Sequence, residues 1–150
     1  APSILYENLA DWFDLEHESP YMLLVANVEK SKCIMHKSEG RKGFDRLKIK
    51  RSVIPAVTHI DYSARIQTVS GEYNQRFYKL IKAFYKITGV PLLVNTSFNV
   101  RGEPIVNTPS DAINCFLGTK LDALILENTI SLKKDQVYRD NSYHLNFDLD

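Results

Sequence analysis

The feature that most constrains this chain is a pattern that occurs twice: an amphipathic helical stretch, a glycine, then a short apolar run. In the first copy Tyr73, Phe77, Leu80, Ile81 and Phe84 mark one helical face, with Asn74, Gln75, Lys79, Lys82 and Lys86 outside it, the spacing a 3.6-residue period demands. Gly89 stands where a helix ends in the left-handed conformation, and residues 90–94 (Val-Pro-Leu-Leu-Val) read as a strand. The second copy opens on Thr108-Pro109-Ser110-Asp111, in which Thr caps, Pro takes the first turn and the acid meets the positive end of the helix dipole. Ile113, Phe116 and Leu117 then face inward, Gly118 closes the helix, and residues 121–126 form a second apolar strand. Helices alternating with strands must pack on a sheet, so the chain is expected to be α/β (α+β), a twisted open sheet flanked by helices.

The flanking segments are less regular. Leu5, Leu9, Trp12 and Phe13 predict a helix over residues 5–15, ended by Ser19-Pro20, and residues 21–26 predict a buried strand. Residues 30–51 have no clean period and read as a long basic loop insertion; residues 129–132 predict a strand that closes the sheet; residues 135–150 read as a tail. A length of 150 residues suits one domain, taken as residues 1–134. Its core is expected to hold Trp12, Phe77, Leu80, Ile81, Phe84, Leu93 and Leu124. No apolar run approaches the roughly 20 residues that span a bilayer, and the opening Ala-Pro-Ser is no signal peptide. Cys33 and Cys115 form no Cys-x-x-Cys pair, which argues against a disulfide framework or a cysteine zinc module and points to a cytoplasmic setting.

Charge is unevenly spread. Residues 1–18 hold five acids and no Lys or Arg, whereas residues 30–51 hold nine Lys and Arg against Glu39 and Asp45. Such a block attracts phosphate, on a nucleotide or on nucleic acid, or is a solvated lysine-rich loop.

Three segments carry more polar chemistry than a core needs. In Thr58-His59-Ile60-Asp61 an extended backbone would set His59 and Asp61 on one face, where they could orient an imidazole, bind a metal or simply bond to each other. Arg65 lies between Ser63-Ala64 and Ile66, a setting in which an arginine needs an anionic partner, either an internal carboxylate or a ligand phosphate. Asn95-Thr96-Ser97-Phe98-Asn99-Val100-Arg101-Gly102 directly follows a strand and offers amides and hydroxyls to a ligand, or else a turn that satisfies its own backbone. The third segment is the basic block. No P-loop, Gly-x-Gly-x-x-Gly or nucleophile-elbow motif is present.

Taken in order, these segments resemble the C-terminal domain of the nodulation-protein-type O-carbamoyltransferases. The resemblance rests on Ala1-Pro-Ser-Ile-Leu5, Ser19-Pro-Tyr-Met-Leu23, Ile54-Pro-Ala-Val-Thr-His-Ile-Asp61, Ala64-Arg-Ile-Gln-Thr-Val69, Thr88-Gly-Val-Pro-Leu-Leu-Val-Asn-Thr-Ser-Phe-Asn99 and Gly102-Glu-Pro-Ile-Val106 with Thr108-Pro109.

The resemblance implies a YrdC-like fold and a longer polypeptide, with an actin-like ATPase-type N-terminal domain that is absent here and would hold an iron-type divalent metal and the hydroxyl acceptor, a small molecule or sugar. No metal site is expected in the present chain. The domain in hand would bind carbamoyl phosphate and ATP with Mg²⁺, forming carbamoyl-adenylate. Arg65, Asn95 and Ser97 match the family's catalytic positions, expected to converge at the carboxyl end of the sheet, with His59, Asp61, Ser63, Thr96, Asn99 and Arg101 in supporting binding roles. Tyr62 stands where the family more often has Gly. Two other readings remain: a non-catalytic nucleic-acid-binding module using residues 30–51, and a docking domain inactive when isolated. Near-neutral net charge weighs against nucleic acid, and no membrane partner is expected.

Overall fold

Alternation along residues 63–69 sets the frame. Ala64 and Ile66 are fully buried on one side of this segment while Arg65 is exposed on the other, as a pleated strand requires. The computed structural model describes residues 1–35, 48–137 and 143. They fall into two compact units, Ala1–Thr96 and Ser97–Asp150.

The first unit holds an open mixed sheet of β1 (Pro2–Leu5), β2 (Leu24–Asn27), β3 (Ser63–Val69) and β4 (Leu92–Val94), ordered β2-β3-β1-β4. β1 runs parallel to β3, with Ser3 opposite Gln67, and antiparallel to β4, with Ser3 opposite Leu93. β2 is antiparallel to β3, with Val25 opposite Arg65. One face of this sheet lies on the larger core, in which Ile4, Ala64, Ile66 and Leu92 meet Leu9, Trp12, Phe13, Val28, Ile54 and Val57. On the other face α2 (Gln75–Thr88), the longer of the two α-helices among the unit's described residues, packs over one end. There Ile81 meets Leu5 and Val69, with Phe77, Tyr78, Tyr85 and Leu93 around them. The Asn74 side chain accepts the Phe77 N–H at the start of α2, and Gly89 (φ 72°) ends it by donating its N–H to the Tyr85 carbonyl at 2.8 Å.

Several expectations need correction here. The helix over residues 5–15 reduces to a 3-10 turn at Tyr6–Asn8 and the single turn of α1 (Leu9–Trp12), while Leu5 belongs to β1. Residues 2–5 pair with two neighbouring strands, and that ladder outweighs the helical spacing; the four apolar residues are buried all the same. Among the described residues β2 is an exposed edge strand, with Val25 59% exposed, paired only with β3 and with no helix packed on it. In α2 the buried face runs through Phe77, Tyr78, Ile81 and Tyr85, leaving Leu80 53% exposed and Phe84 half-buried. Tyr78 can turn inward because its hydroxyl donates to Glu7 (2.6 Å) and accepts from Lys82 (2.8 Å). Residues 36–47, most of the basic block, lie outside the described residues. The stem on either side is tied: the backbones of Cys33 and Ser52 pair in an isolated antiparallel bridge, and the Ile34 N–H donates to the Arg51 carbonyl at 2.7 Å.

In the second unit α3 (Pro109–Gly118) packs against a hairpin of β5 (Ala123–Leu126) and β6 (Thr129–Leu132) through Ala112, Phe116 and Leu124. Thr108 and Asp111 form a reciprocal capping box at the start of α3. Among the described residues β6 pairs with β5 in a separate two-stranded sheet rather than closing the larger one. Ile113 is exposed rather than inward, since the buried face of α3 passes through Ala112, Cys115 and Phe116. Lys133 donates to the carbonyls of Phe116 and Leu117 at 2.6 Å each, placing a cation on the negative end of α3.

Candidate ligand-binding face

α2 covers one end of its face of the sheet. The rest of that face carries Arg65 and Gln67 from β3, Ser3 from β1 and Asn95 just past β4; Arg65 is exposed, Gln67 and Asn95 are half-buried and Ser3 is fully buried. The register puts them on one side: Ser3 lies opposite both Gln67 and Leu93, and Arg65 and Asn95 are each two residues from those. Thirty residues apart in sequence, Arg65 and Asn95 lie two strands apart in the sheet, roughly 9–10 Å between backbones. Ala1 stands between them, joined to Asn95 by an N–H to the Ala1 carbonyl (2.7 Å) and by its own nitrogen to the Asn95 carbonyl (3.0 Å). Its side chain there is a single methyl. This face is not the carboxyl end of the sheet: β4 is antiparallel to β1, so its carboxyl end lies beside the amino ends of β1 and β3.

The side chains of this row are held by backbone and by one another. Arg65 is exposed, not buried on a carboxylate; its Nε donates to the Met22 carbonyl at 2.8 Å, and no acidic side chain among the described residues pairs with it. Met22 has φ 56°, a left-handed conformation. The anchor at Nε leaves the two terminal NH₂ groups of the guanidinium for an anion. Gln67 donates from Nε2 to the Pro20 carbonyl (3.1 Å), and its Oε1 accepts from Ser3 Oγ (2.5 Å) and Asn95 Nδ2 (2.8 Å). Ser3 and Gln67 did not emerge from sequence reading as site residues. The signal that finds them is the period of two counted from Arg65, together with the β1–β3 register, which no single sequence displays.

His59 and Asp61 meet through Ser63 rather than along a strand. Residues 59–62 form a tight turn, with the Tyr62 N–H donating to the His59 carbonyl and Tyr62 at φ 67°. That left-handed position explains why a glycine is favoured there. Ser63 Oγ donates to Asp61 Oδ1 at 2.7 Å and lies 2.9 Å from His59 Nδ1, while the Ser63 N–H also bonds Asp61. With its proton committed to Asp61, the serine accepts from the imidazole, so Nδ1 carries a proton. The Ser63 hydroxyl, then its N–H, hold the Asp61 carboxyl below the usual aspartate range. The turn is fastened from behind by buried Arg51, whose Nε donates to the Ile60 carbonyl at 3.1 Å. Among the described residues no three His, Cys, Asp or Glu side chains are close enough to hold a metal ion.

Thr96 is exposed, and Ser97 opens the second unit, also exposed. Asn99 is committed within its own loop, donating Nδ2 to the Glu103 carbonyl at 2.7 Å. The buried Glu103 carboxylate accepts the Val100 N–H at 2.8 Å and the Tyr143 hydroxyl. Burial, followed by the Glu103 charge, pushes the Cys115 thiol up to about 11, which makes it a poor nucleophile. Arg101 sits exposed at the tip of this loop, beside Gly102 at φ 82°.

A cleft of about 380 Å³ borders Gln67 in the first unit, lined by the rings of Tyr21, Tyr73 and Phe77 with Glu18, Asn74 and Ser70. The Ser70 hydroxyl in its wall is buried without a partner. Apolar rings with a few polar groups suit a planar ligand. No helix among the described residues is long and apolar enough to cross a membrane.

Comparison with known proteins adds a second line. Residues 1–133 match the family model described as the carbamoyltransferase C-terminus. An uncharacterized protein of Synechocystis is 48% identical over the whole chain, which covers 25% of that protein. The nodulation protein NolNO of Sinorhizobium fredii is 40% identical over 89% of the chain, covering 18% of its own length. A 3'-hydroxymethylcephem-O-carbamoyltransferase of Amycolatopsis lactamdurans is 35% identical over 75% of the chain, again 18% of that protein. The chain thus spans about a quarter or less of the relatives it matches.

Proposed function

Because this chain belongs to the carbamoyltransferase C-terminus family, we propose that its open sheet face binds the carbamoyl donor for transfer to a hydroxyl acceptor held elsewhere in a longer polypeptide. The observation that carries this reading is the pairing of Arg65 and Asn95 across one small gap. The guanidinium is anchored through Nε with its terminal groups spare, and the neutral amide is held two strands away. Carbamoyl phosphate has the matching polarity, a phosphate dianion at one end and a neutral amide at the other. The aromatic cleft beside Gln67 is proposed for the base of ATP. In the net reaction carbamoyl phosphate, ATP and water give carbamoyl-adenylate, inorganic phosphate and pyrophosphate. Attack of the acceptor hydroxyl on the adenylate carbonyl then forms the carbamate ester and releases AMP. Such transfers need positioning and charge neutralisation more than covalent help, which is what the row offers. The 59–63 turn is proposed to complete the contacts to phosphate and adenylate.

The test is calorimetric and kinetic. In the complete polypeptide, Arg65→Lys is expected to lower carbamoyl transfer by roughly 10²-fold or more, since an ammonium cannot reproduce a planar fork. Thermal stability should change little, because Arg65 is exposed. Unchanged transfer by that variant, or no measurable binding of carbamoyl phosphate by the unsubstituted protein, would overturn the reading.

A further inference from the structure

The direction of the Asn95 amide is dictated by a chain of hydrogen bonds that starts on the backbone of residue 20. A carbonyl can only accept, so the group that Gln67 turns towards Pro20 must be its NH₂, and Nε2 lies 3.1 Å from that oxygen. The Gln67 amide oxygen is thereby turned to the other side, where Ser3 Oγ and Asn95 Nδ2 both donate to it. Asn95 must meet that oxygen with its own NH₂. Its carbonyl oxygen Oδ1 takes no bond from any described residue and is left for a ligand.

From this we infer that Gln67 is a specificity-determining positioning residue, which locks Asn95 so that the site presents a hydrogen-bond acceptor, Oδ1, opposite the cation of Arg65. A free asparagine can flip and serve as donor or acceptor; one held by Gln67 cannot. The ligand group that fits is an N–H donor on a molecule whose other end is an anion. The inference rests on the reading of this face as the carbamoyl-donor site and deepens it, since it explains how the site tells a carbamoyl group from an acyl group of the same shape. Carbamoyl phosphate brings an NH₂ to Oδ1; acetyl phosphate brings a methyl, which leaves the oxygen unpaired. Gln67 touches the asparagine and need not touch the ligand.

Competition between carbamoyl phosphate and acetyl phosphate on the complete polypeptide tests this, with Gln67→Met as the variant of similar size that keeps none of the three hydrogen bonds. The unsubstituted protein is expected to prefer carbamoyl phosphate by about 10-fold or more, the range of one hydrogen bond with its unpaired penalty. The variant should bind both within about twofold of each other. A merely structural role for Gln67 would weaken both ligands together and leave their ratio intact, and that result overturns the inference while carbamoyl-donor binding stands. Failure of the unsubstituted protein to bind carbamoyl phosphate removes the reading of the site and the inference with it. A ligand-free measurement covers the case in which the variant does not fold. In protein labelled with ¹⁵N at asparagine, one Asn95 side-chain amide proton should exchange slowly, as a bonded donor does. Two rapidly exchanging protons there would overturn the inference.

Discussion

At the scale of single residues, sequence discloses types more readily than directions. His59, Asp61 and Ser63 were legible as polar groups in a chemically dense segment, but an extended backbone was the wrong guide to their geometry. The turn they form depends on Tyr62 adopting φ 67° and on Arg51 holding the Ile60 carbonyl, and neither is encoded by a local period. Arg65 was legible as an arginine in need of an anion; that it is exposed and anchored on a main-chain oxygen was not, because the segment at residues 20–22 leaves no signature on residue 65. Asp61 offers a direct check. Hydrogen bonds from the Ser63 hydroxyl and N–H favour its charged form, so its folded pKa lies below the unfolded value. The stability it confers is therefore present above the unfolded pKa and lost as pH falls through the folded one. Carboxyl ¹³C titration should give Asp61 a midpoint below that of an aspartate in an unfolded peptide, and Ser63→Ala should raise it.

At the scale of elements, helices with caps were the most readable objects in the chain. Thr108-Pro109-Ser110-Asp111 announced α3, and the capping box is present. Thr108→Ala should cost about 1 kcal/mol, measured by urea denaturation. The rotation of α2 was less readable, since Leu80 and Phe84 are as apolar as the residues that are buried. The choice falls on Tyr78 because Glu7 and Lys82 satisfy its hydroxyl, partners that lie on another element or one turn away. Ile81→Ala should cost roughly 2–5 kcal/mol, as a fully buried side chain does. Leu80→Ala, at an exposed position, should cost well under 1 kcal/mol. Equal losses in the two variants would mean that the helix is turned differently. Short strands were harder to read. β1 carries a helix-like apolar spacing into residue 9, and only its pairing with β3 and β4 makes it a strand.

At the scale of the whole molecule the α/β class followed from the repeated pattern, whereas the pairing of β5 with β6 alone did not, because strand partners are a matter of topology rather than of period. Net charge is +1, and the aromatic residues on the open side belong to a cleft rather than to a basic platform. Binding to nucleic acid should accordingly be no tighter than about 1 µM at physiological salt, measured by fluorescence anisotropy. Among the described residues the β2 edge of the larger sheet is apolar as well as exposed, with Val25 59% exposed and Leu23, just before the strand, 79% exposed. An edge of that kind invites pairing with another chain, so the isolated chain should associate as its concentration rises, and Leu23→Lys should suppress this in sedimentation velocity. Residues 20–22 bear on how such a chain can drift over generations. Arg65 and Gln67 are both anchored on carbonyl oxygens of this segment, those of Met22 and Pro20. No substitution deletes a main-chain oxygen, so the side chain at position 22 is free to change among residues that accept a left-handed backbone, Gly, Asn and Asp before others. A mutational scan scored on the proposed carbamoyl transfer by the complete polypeptide should find position 22 permissive to those three and position 65 closed to all replacements. The structural debt of the site to this segment would then be invisible to any count of which letters persist there.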